Sequence, residues 1–250
     1  MNPFFLKIKN HKEQNLPFVL YSKPNTSNLV GILQQNNTLF YVGDYSEKGF
    51  VFASFDEKQL ILIPENESEI LTAEQLEIAF EAAEIEESGI DNEARLHYEA
   101  LVSKGIQAIK NDEFKKVVLS RSEEVTLSEF DFVSTFQHLI QLYPTTFSYV
   151  FFHPKIGLWM GATPEQLIKV ENNHFETVSL AGTHQKNSFE NWSAKEIHEQ
   201  QIVTDYILDN LFAEKEYYHL ECFFRSCLIK FHVNNIGVLS NIKIMPLAIE

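Results

Sequence analysis

The sequence predicts an α+β protein built from largely antiparallel sheets flanked by helices. Three observations carry that expectation. Between Phe18 and Pro64 short apolar runs alternate with turn residues, as consecutive strands do. After residue 90 the hydrophobic period becomes that of a helix, and strand and helix signals then alternate as far as Leu211. With 250 residues, 44% hydrophobic and 13% aromatic, the chain has enough apolar material for a sizeable core in one or two domains.

Taken in order, the first runs are FVLYS, NLVGIL, TLFYVG, GFVFASF and LILIP, rich in β-branched and aromatic residues, with Asn36-Asn37 and Gly43-Asp44 as hairpin turns. Helices are expected over Ala73 to Glu87 and Asn92 to Lys110. In the first, acids surround Leu76, Ile78, Phe80 and Ile85, which reads as a solvated helix face rather than a cation site. In the second, Leu96, Tyr98, Leu101, Val102, Ile106 and Ile109 fall near helical spacing. A β-branched strand from Lys116 to Glu124 and a helix from Ser128 to Leu142 follow. Strands Phe147 to His153 and Leu158 to Gly161 meet at His153-Pro154-Lys155, and Gln166 to Val170 and His174 to Ala181 at Asn172-Asn173. Ser193 with Glu196 three residues on is a capping box, opening a helix whose apolar face carries Ile197, Val203, Tyr206, Ile207 and Leu211.

A formal net charge of −15 repels polyanions and argues against general nucleic-acid binding. A small anion can still bind where a metal ion or local lysines reverse the potential. No run approaches the length of a membrane span, and MNPFFLKIKN holds an apolar stretch too short for a signal peptide. Cys222 and Cys227 give no disulfide framework, so a reducing compartment, the cytoplasm, is expected. With His219 and His232 they could be read as a zinc set, but the spacings fit no familiar finger.

Several residues have a chemical reading beside a plain one. Lys116, opening an apolar strand, is either a desolvated amine suited to general-base work or a surface lysine. Glu165 follows Thr163-Pro164, where proline stiffens the backbone. Shielded by Leu158, Trp159 and Met160 it would be a general acid; unshielded, a turn acid in solvent. Gly182 lets backbone approach a ligand and Thr183 offers a hydroxyl and an amide to a carboxylate, unless the pair merely ends a strand. Glu199, on the face with Val203 and Tyr206, is either an oxygen ligand for a hard cation such as Mg²⁺ or a helix acid paired with Lys195.

The runs KVVLSR (Lys116 to Arg121), GATPE (Gly161 to Glu165), LAGT (Leu180 to Thr183) and KEIHE (Lys195 to Glu199) occur in that order. Together with HYEALVSKGIQAIKNDEF and PTTFSYVFFH, they resemble the chorismate-utilising enzymes, and within them the isochorismate synthase branch, over about Leu96 to Phe212. The resemblance implies Mg²⁺-dependent conversion of chorismate to isochorismate, in menaquinone or siderophore biosynthesis. Lys116 would activate a water to attack C2 and Glu165 would protonate the departing C4 hydroxyl. Ala181, Gly182 and Thr183 would contact the substrate and Glu199 the metal. Lysine at 116 is similar to members that use water, whereas the anthranilate branch has a non-basic residue there. Alanine at 181 stands where the aminodeoxychorismate branch carries a nucleophilic lysine. The expected small-molecule partner is chorismate, with no nucleic acid and no membrane.

The resemblance also implies a division into a variable N-terminal part (1–90), a chorismate-binding part (91–216) and a divergent tail (217–250). Family members continue with an HPTPA-like run, a second metal-binding glutamate, and an arginine and lysine that grip the substrate carboxylates; none is found in this sequence. The chain is therefore expected to be truncated, with little turnover by itself, and the alternative reading is a noncatalytic piece of the same fold.

Overall fold

The structure, a computed structural model, describes residues 2–56, 58–75, 91–127, 129–171, 174–182, 192–211, 218–223 and 226–232. Helix α1 (Pro3–Glu13) precedes strands β1 (Phe18–Ser22), β2 (Asn28–Gln34), β3 (Phe40–Tyr41), β4 (Gly49–Ala53), β5 (Leu60–Pro64) and β6 (Ser68–Glu74). Helices α2 (Asn92–Lys110) and α3 (Phe132–Leu142) come next, then β7 (Phe147–His153), β8 (Gly157–Thr163), β9 (Lys169–Glu171) and β10 (His174–Leu180). Helix α4 (Ala194–Leu211), β11 (Tyr218–Phe223) and β12 (Ser226–His232) complete the order. Every sheet pairing among the described residues is antiparallel, in keeping with the largely antiparallel α+β class expected.

Two compact units divide the chain, one of Met1–Ala83 with Thr126–Glu165 and the other of Glu84–Val125 with Gln166–Glu250. They interleave in sequence, unlike the linear division at residue 90. The physical reason is strand pairing: β1 lies between β2 and β7, with Val19 opposite both Ile32 and Phe151. The later segment is therefore part of the first sheet.

In the first unit a five-stranded sheet runs β6-β2-β1-β7-β8, and a three-stranded sheet runs β3-β5-β4. Because side chains alternate along a strand, β1 sends Phe18 and Leu20 to one face and Val19 to the other. The first face packs under α1 and α3 through Phe4, Phe5, Ile8, Phe132, Val133, Phe136 and Ile140. The second packs with Ile61 and Ile63 of β5. Burial on both faces explains why FVLYS is an almost unbroken apolar run, and each such side chain contributes about 1.5–3 kcal/mol of transfer free energy.

Helix α1, which the sequence reading leaves out, is set by a short signal: Asn2 accepts a hydrogen bond from the Phe4 N–H at 2.9 Å and Pro3 occupies the first helical turn. Lys12 lies 5.2 Å from the Phe152 ring centroid and 5.9 Å from that of Phe132. Helix α3 begins at Phe132 rather than Ser128, because Asp131 is its cap. The Asp131 carboxylate accepts from the Val133 N–H (3.1 Å), the Ser134 hydroxyl (2.9 Å) and Lys9 Nζ (2.7 Å). Burial works against its charge, but these bonds and the Lys9 charge prevail and hold the carboxyl below its ordinary range. The helix expected from Ala73 does not start there. Ala73 and Glu74 end β6, opposite Leu29 and Asn28, and residues 76–87 of that expected helix lie outside the described residues.

Two histidines of this unit are almost fully buried, His11 at 7% and His153 at 1% exposure. His11 Nε2 lies 3.1 Å from the Pro17 carbonyl, and His153 Nδ1 accepts the Lys155 N–H at 3.1 Å. Loss of hydration disfavours both charged forms and lowers both pKa values below the ordinary 6.5. The unfolded chain therefore binds more protons than the folded one as pH falls through about 6.5. Stability is full above that value and declines below it, so the urea midpoint is expected to be lower at acidic pH, by equilibrium unfolding at pH 7.5 and 5.5. A midpoint equal or higher at pH 5.5 would contradict the assignment.

The second unit holds a four-stranded sheet, β11-β12-β10-β9, with α4 packed on β10. Helix α2 starts at its expected residue because the Asp91 side chain accepts from the N–H groups of Glu93 and Ala94 at 3.0 Å. Its Gly105 faces Val117 and Leu119, and the Tyr98 hydroxyl donates to the Leu119 carbonyl at 3.3 Å. The expected strand Lys116 to Glu124 is not one: none of the described strands pairs with it, and it carries no regular secondary structure. β-Branched composition favours extended backbone, but only a partner's hydrogen bonds make a ladder.

Candidate active site

Four of the residues singled out in the sequence lie in the second unit, on three segments that meet. The segment after α2 carries Lys116, β10 runs into Ala181 and Gly182, and the first turns of α4 carry Glu199. Thr183 lies outside the described residues.

Helix α4 starts with its expected cap. The Glu196 N–H donates to Ser193 Oγ at 3.4 Å, and the Ser193 hydroxyl also donates to the Glu196 carboxylate. Its inward face is more polar than the apolar stripe expected. Val203 is buried and Tyr206 and Ile207 are half-buried, as that stripe requires, but Ile197 is 59% exposed, Glu196, Glu199 and Gln200 are half-buried, and Thr204 is buried. A face that buries hydroxyl and amide groups needs polar partners opposite. Ser179 of β10, fully buried, lies 2.9 Å from Thr204 Oγ1, and Gln200 Nε2 donates to Thr204 Oγ1 at 3.0 Å and to Ser179 Oγ at 3.4 Å. This seam fixes the rotation of α4 on β10 and turns Glu199 toward Lys116. Sequence reasoning missed it; the available signal was the i, i+4 spacing of Gln200 and Thr204 beside Ser179 on an alternating strand.

Lys116 Nζ stands 3.5 Å from Glu199 Oε1, and Lys195 Nζ 3.4 Å from Oε2. Both plain and chemical readings of Glu199 thus have a basis: it pairs with Lys195 one turn back and also faces inward. The Lys116 side chain is 12% exposed, so it is not a surface lysine. One turn before Glu199, Glu196 packs beneath Gly182. A Cβ at Gly182 would sit 3.3 Å from the Trp192 ring and 3.4 Å from Glu196 Cβ, and its φ of +84° lies in the region that favours glycine. Gly182→Ala is expected to cost about 1–2 kcal/mol through that φ alone, read as a lower unfolding midpoint of the purified variant.

Glu165 belongs to the first unit and lies two residues beyond β8. Its N–H donates to Thr163 Oγ1 at 3.2 Å, which with Pro164 fixes the backbone. The shielding expected from Leu158, Trp159 and Met160 is not present: Glu165 is exposed and Trp159 itself is 52% exposed. Met160 packs against the core under α3, and the strand's alternation directs these side chains to the sheet faces rather than over its end. The glycine of the same motif has its own cause, since the Tyr149 ring crosses it and a Cβ at Gly161 would lie 2.9 Å from Tyr149 Cε1.

Among the described residues no three His, Cys, Asp or Glu side chains gather as a metal cage. Glu199 is nonetheless chemically suited to Mg²⁺, which takes one or two protein carboxylates and completes its shell with water and substrate oxygens. An ammonium group already stands at a cation position on each of its oxygens. The zinc reading of His219, Cys222, Cys227 and His232 concerns side chains outside the described set. Among the described residues, no helix is long and apolar enough to cross a membrane.

Antiparallel sheets with helices, and a lysine set against a helical glutamate, define a mixed α+β protein with a charged site, and comparison with known proteins gives the family. The chain belongs to the chorismate binding enzyme family, whose model matches residues 50–222. Among solved structures, it is similar to DhbC of Bacillus anthracis, named as a 2,3-dihydroxybenzoate-specific isochorismate synthase, with a TM-score of 0.58 and 13% identity over 96% of this chain and 76% of that one. MenF, the menaquinone-specific isochorismate synthase of Escherichia coli, matches with a TM-score of 0.47 and 14% identity over 94% of this chain and 69% of its own. No curated protein matches significantly.

Proposed function

We propose that the chain is an isochorismate synthase, converting chorismate to isochorismate with Mg²⁺ as cofactor in the cytoplasm. The observation that carries this reading is the 3.5 Å contact of Lys116 with Glu199, which joins two of the motif residues. Lys116, once its ammonium has released a proton to solvent, takes a proton from water as the water oxygen bonds to C2. The ring double bond shifts, the C4–O bond breaks, and Glu165, whose acid role rests on the family resemblance and not on the shielding expected for it, supplies the proton with which that oxygen leaves as water. Atoms balance, since one water enters and one departs, and a proton passing from Lys116 back to Glu165 through solvent restores the starting state. The Gly182 backbone and the flanking Ala181 and Thr183 receive a substrate carboxylate. Mg²⁺ held by Glu199 would neutralise the substrate's ring carboxylate and fix its position.

The test is incubation of the full chain with chorismate and Mg²⁺, with products separated by chromatography. Isochorismate formed only with Mg²⁺ present is the expected result. Salicylate as sole product would move the chain to a neighbouring branch, and unchanged chorismate would reject the activity for these 250 residues.

A further inference from the structure

Lys116 and Lys195 reach the same carboxylate at nearly the same distance, 3.5 and 3.4 Å, from different surroundings. The Lys195 side chain is 77% exposed and the Lys116 side chain 12%. Water and counterions screen the outer pair, so its attraction is largely lost to solvent. The inner pair is less open to both, with Lys116 12% and Glu199 30% exposed, and its charges interact partly through protein. A divalent cation approaching Glu199 meets the Lys116 ammonium where its own charge must sit.

We infer that Lys116 is a built-in competitor for the cation position on Glu199, so that the Lys116–Glu199 pair and a bound divalent cation exclude each other. This rests on the reading of Glu199 as the cation-holding carboxylate. Cation binding then displaces the lysine from the carboxylate, and one event both anchors the metal and releases the Lys116 side chain from its ion pair. The free protein, in turn, holds the carboxylate neutralised instead of leaving a half-buried charge unpaired.

The experiment is a calorimetric titration of the full chain with Mg²⁺ alone, at fixed pH and ionic strength and without chorismate. Wild type, Lys116→Met, Lys116→Gln, Lys195→Met and Glu199→Gln are compared, each first checked for native circular dichroism. At least one of the two Lys116 variants is expected to bind Mg²⁺ about tenfold or more tightly than wild type, from removal of the charge that competes for the Glu199 carboxylate. Lys195→Met should change affinity by no more than about twofold, as befits a screened charge. Glu199→Gln should lose the site. Equal or weaker binding by every folded Lys116 variant, an equal gain in Lys195→Met, retention in Glu199→Gln, or no binding by any variant would each overturn the inference. If both Lys116 variants fail to fold, the pair is a structural requirement rather than a competitor, and the inference also falls. Turnover is measured separately: the expected binding pattern without isochorismate formation rejects the activity and keeps the competition, and the reverse result does the opposite.

Discussion

Lys116→Ala is expected to reduce isochorismate formation by about 10²–10⁴-fold, the range a positioned general base contributes, with the KM for chorismate changed far less. The split between kcat and KM matters because Lys116 also pairs with Glu199. If its only role were to hold α4, its loss would weaken substrate and metal binding and lower the unfolding midpoint while the rate at saturation survived. A fall confined to kcat identifies the amine as the group that takes the water proton. Unchanged steady-state kinetics would remove Lys116 from the mechanism.

Glu165→Gln is expected to lower kcat by a similar factor of about 10²–10⁴, with the unfolding midpoint unchanged. The structure makes that separation clean. Glu165 is exposed and its hydrogen bond to Thr163 is made by the backbone N–H, which glutamine keeps. A lost rate in a variant of native stability would therefore be chemical. An unaffected rate would return Glu165 to the status of a turn acid and require another proton donor for the C4 oxygen.

Which elements the sequence disclosed follows from where their determinants lie. FVLYS, LILIP and FSYVFFH are continuous apolar runs because most of their side chains are buried, and α2 carries its start signal at Asp91. Helix α1 was hidden because its cap is a single Asn-Pro step before a mixed sequence. Strand β6, SEILTAE, was hidden because it is largely exposed and its acids resemble the helix expected to follow. The segment from Lys116 failed as a strand for the opposite reason, since propensity is local and a ladder partner is not.

The candidate site was legible as residue types in order, but not as geometry. The Lys116–Glu199 contact depends on the rotation of α4, which is set by Ser179, Gln200 and Thr204, none of which belongs to a recognised run. The same rotation places Ile197 in solvent although its side chain is apolar. The exposure of Glu165 likewise depends on where β8 ends, a pairing with β7 that residue composition does not specify.

The placement of β1 between β2 and β7 bears on how the protein is made. A ribosome releases β1 and β2 early, yet the other neighbour of β1 emerges only after α2 and the whole Lys116 segment. At about 5–20 residues per second this wait is on the order of ten seconds. Throughout it, one edge of an apolar strand is open to pairing with any extended chain nearby. Chaperone supply and translation speed between residues 22 and 147 should therefore govern the yield of native protein more than the equilibrium stability of either unit.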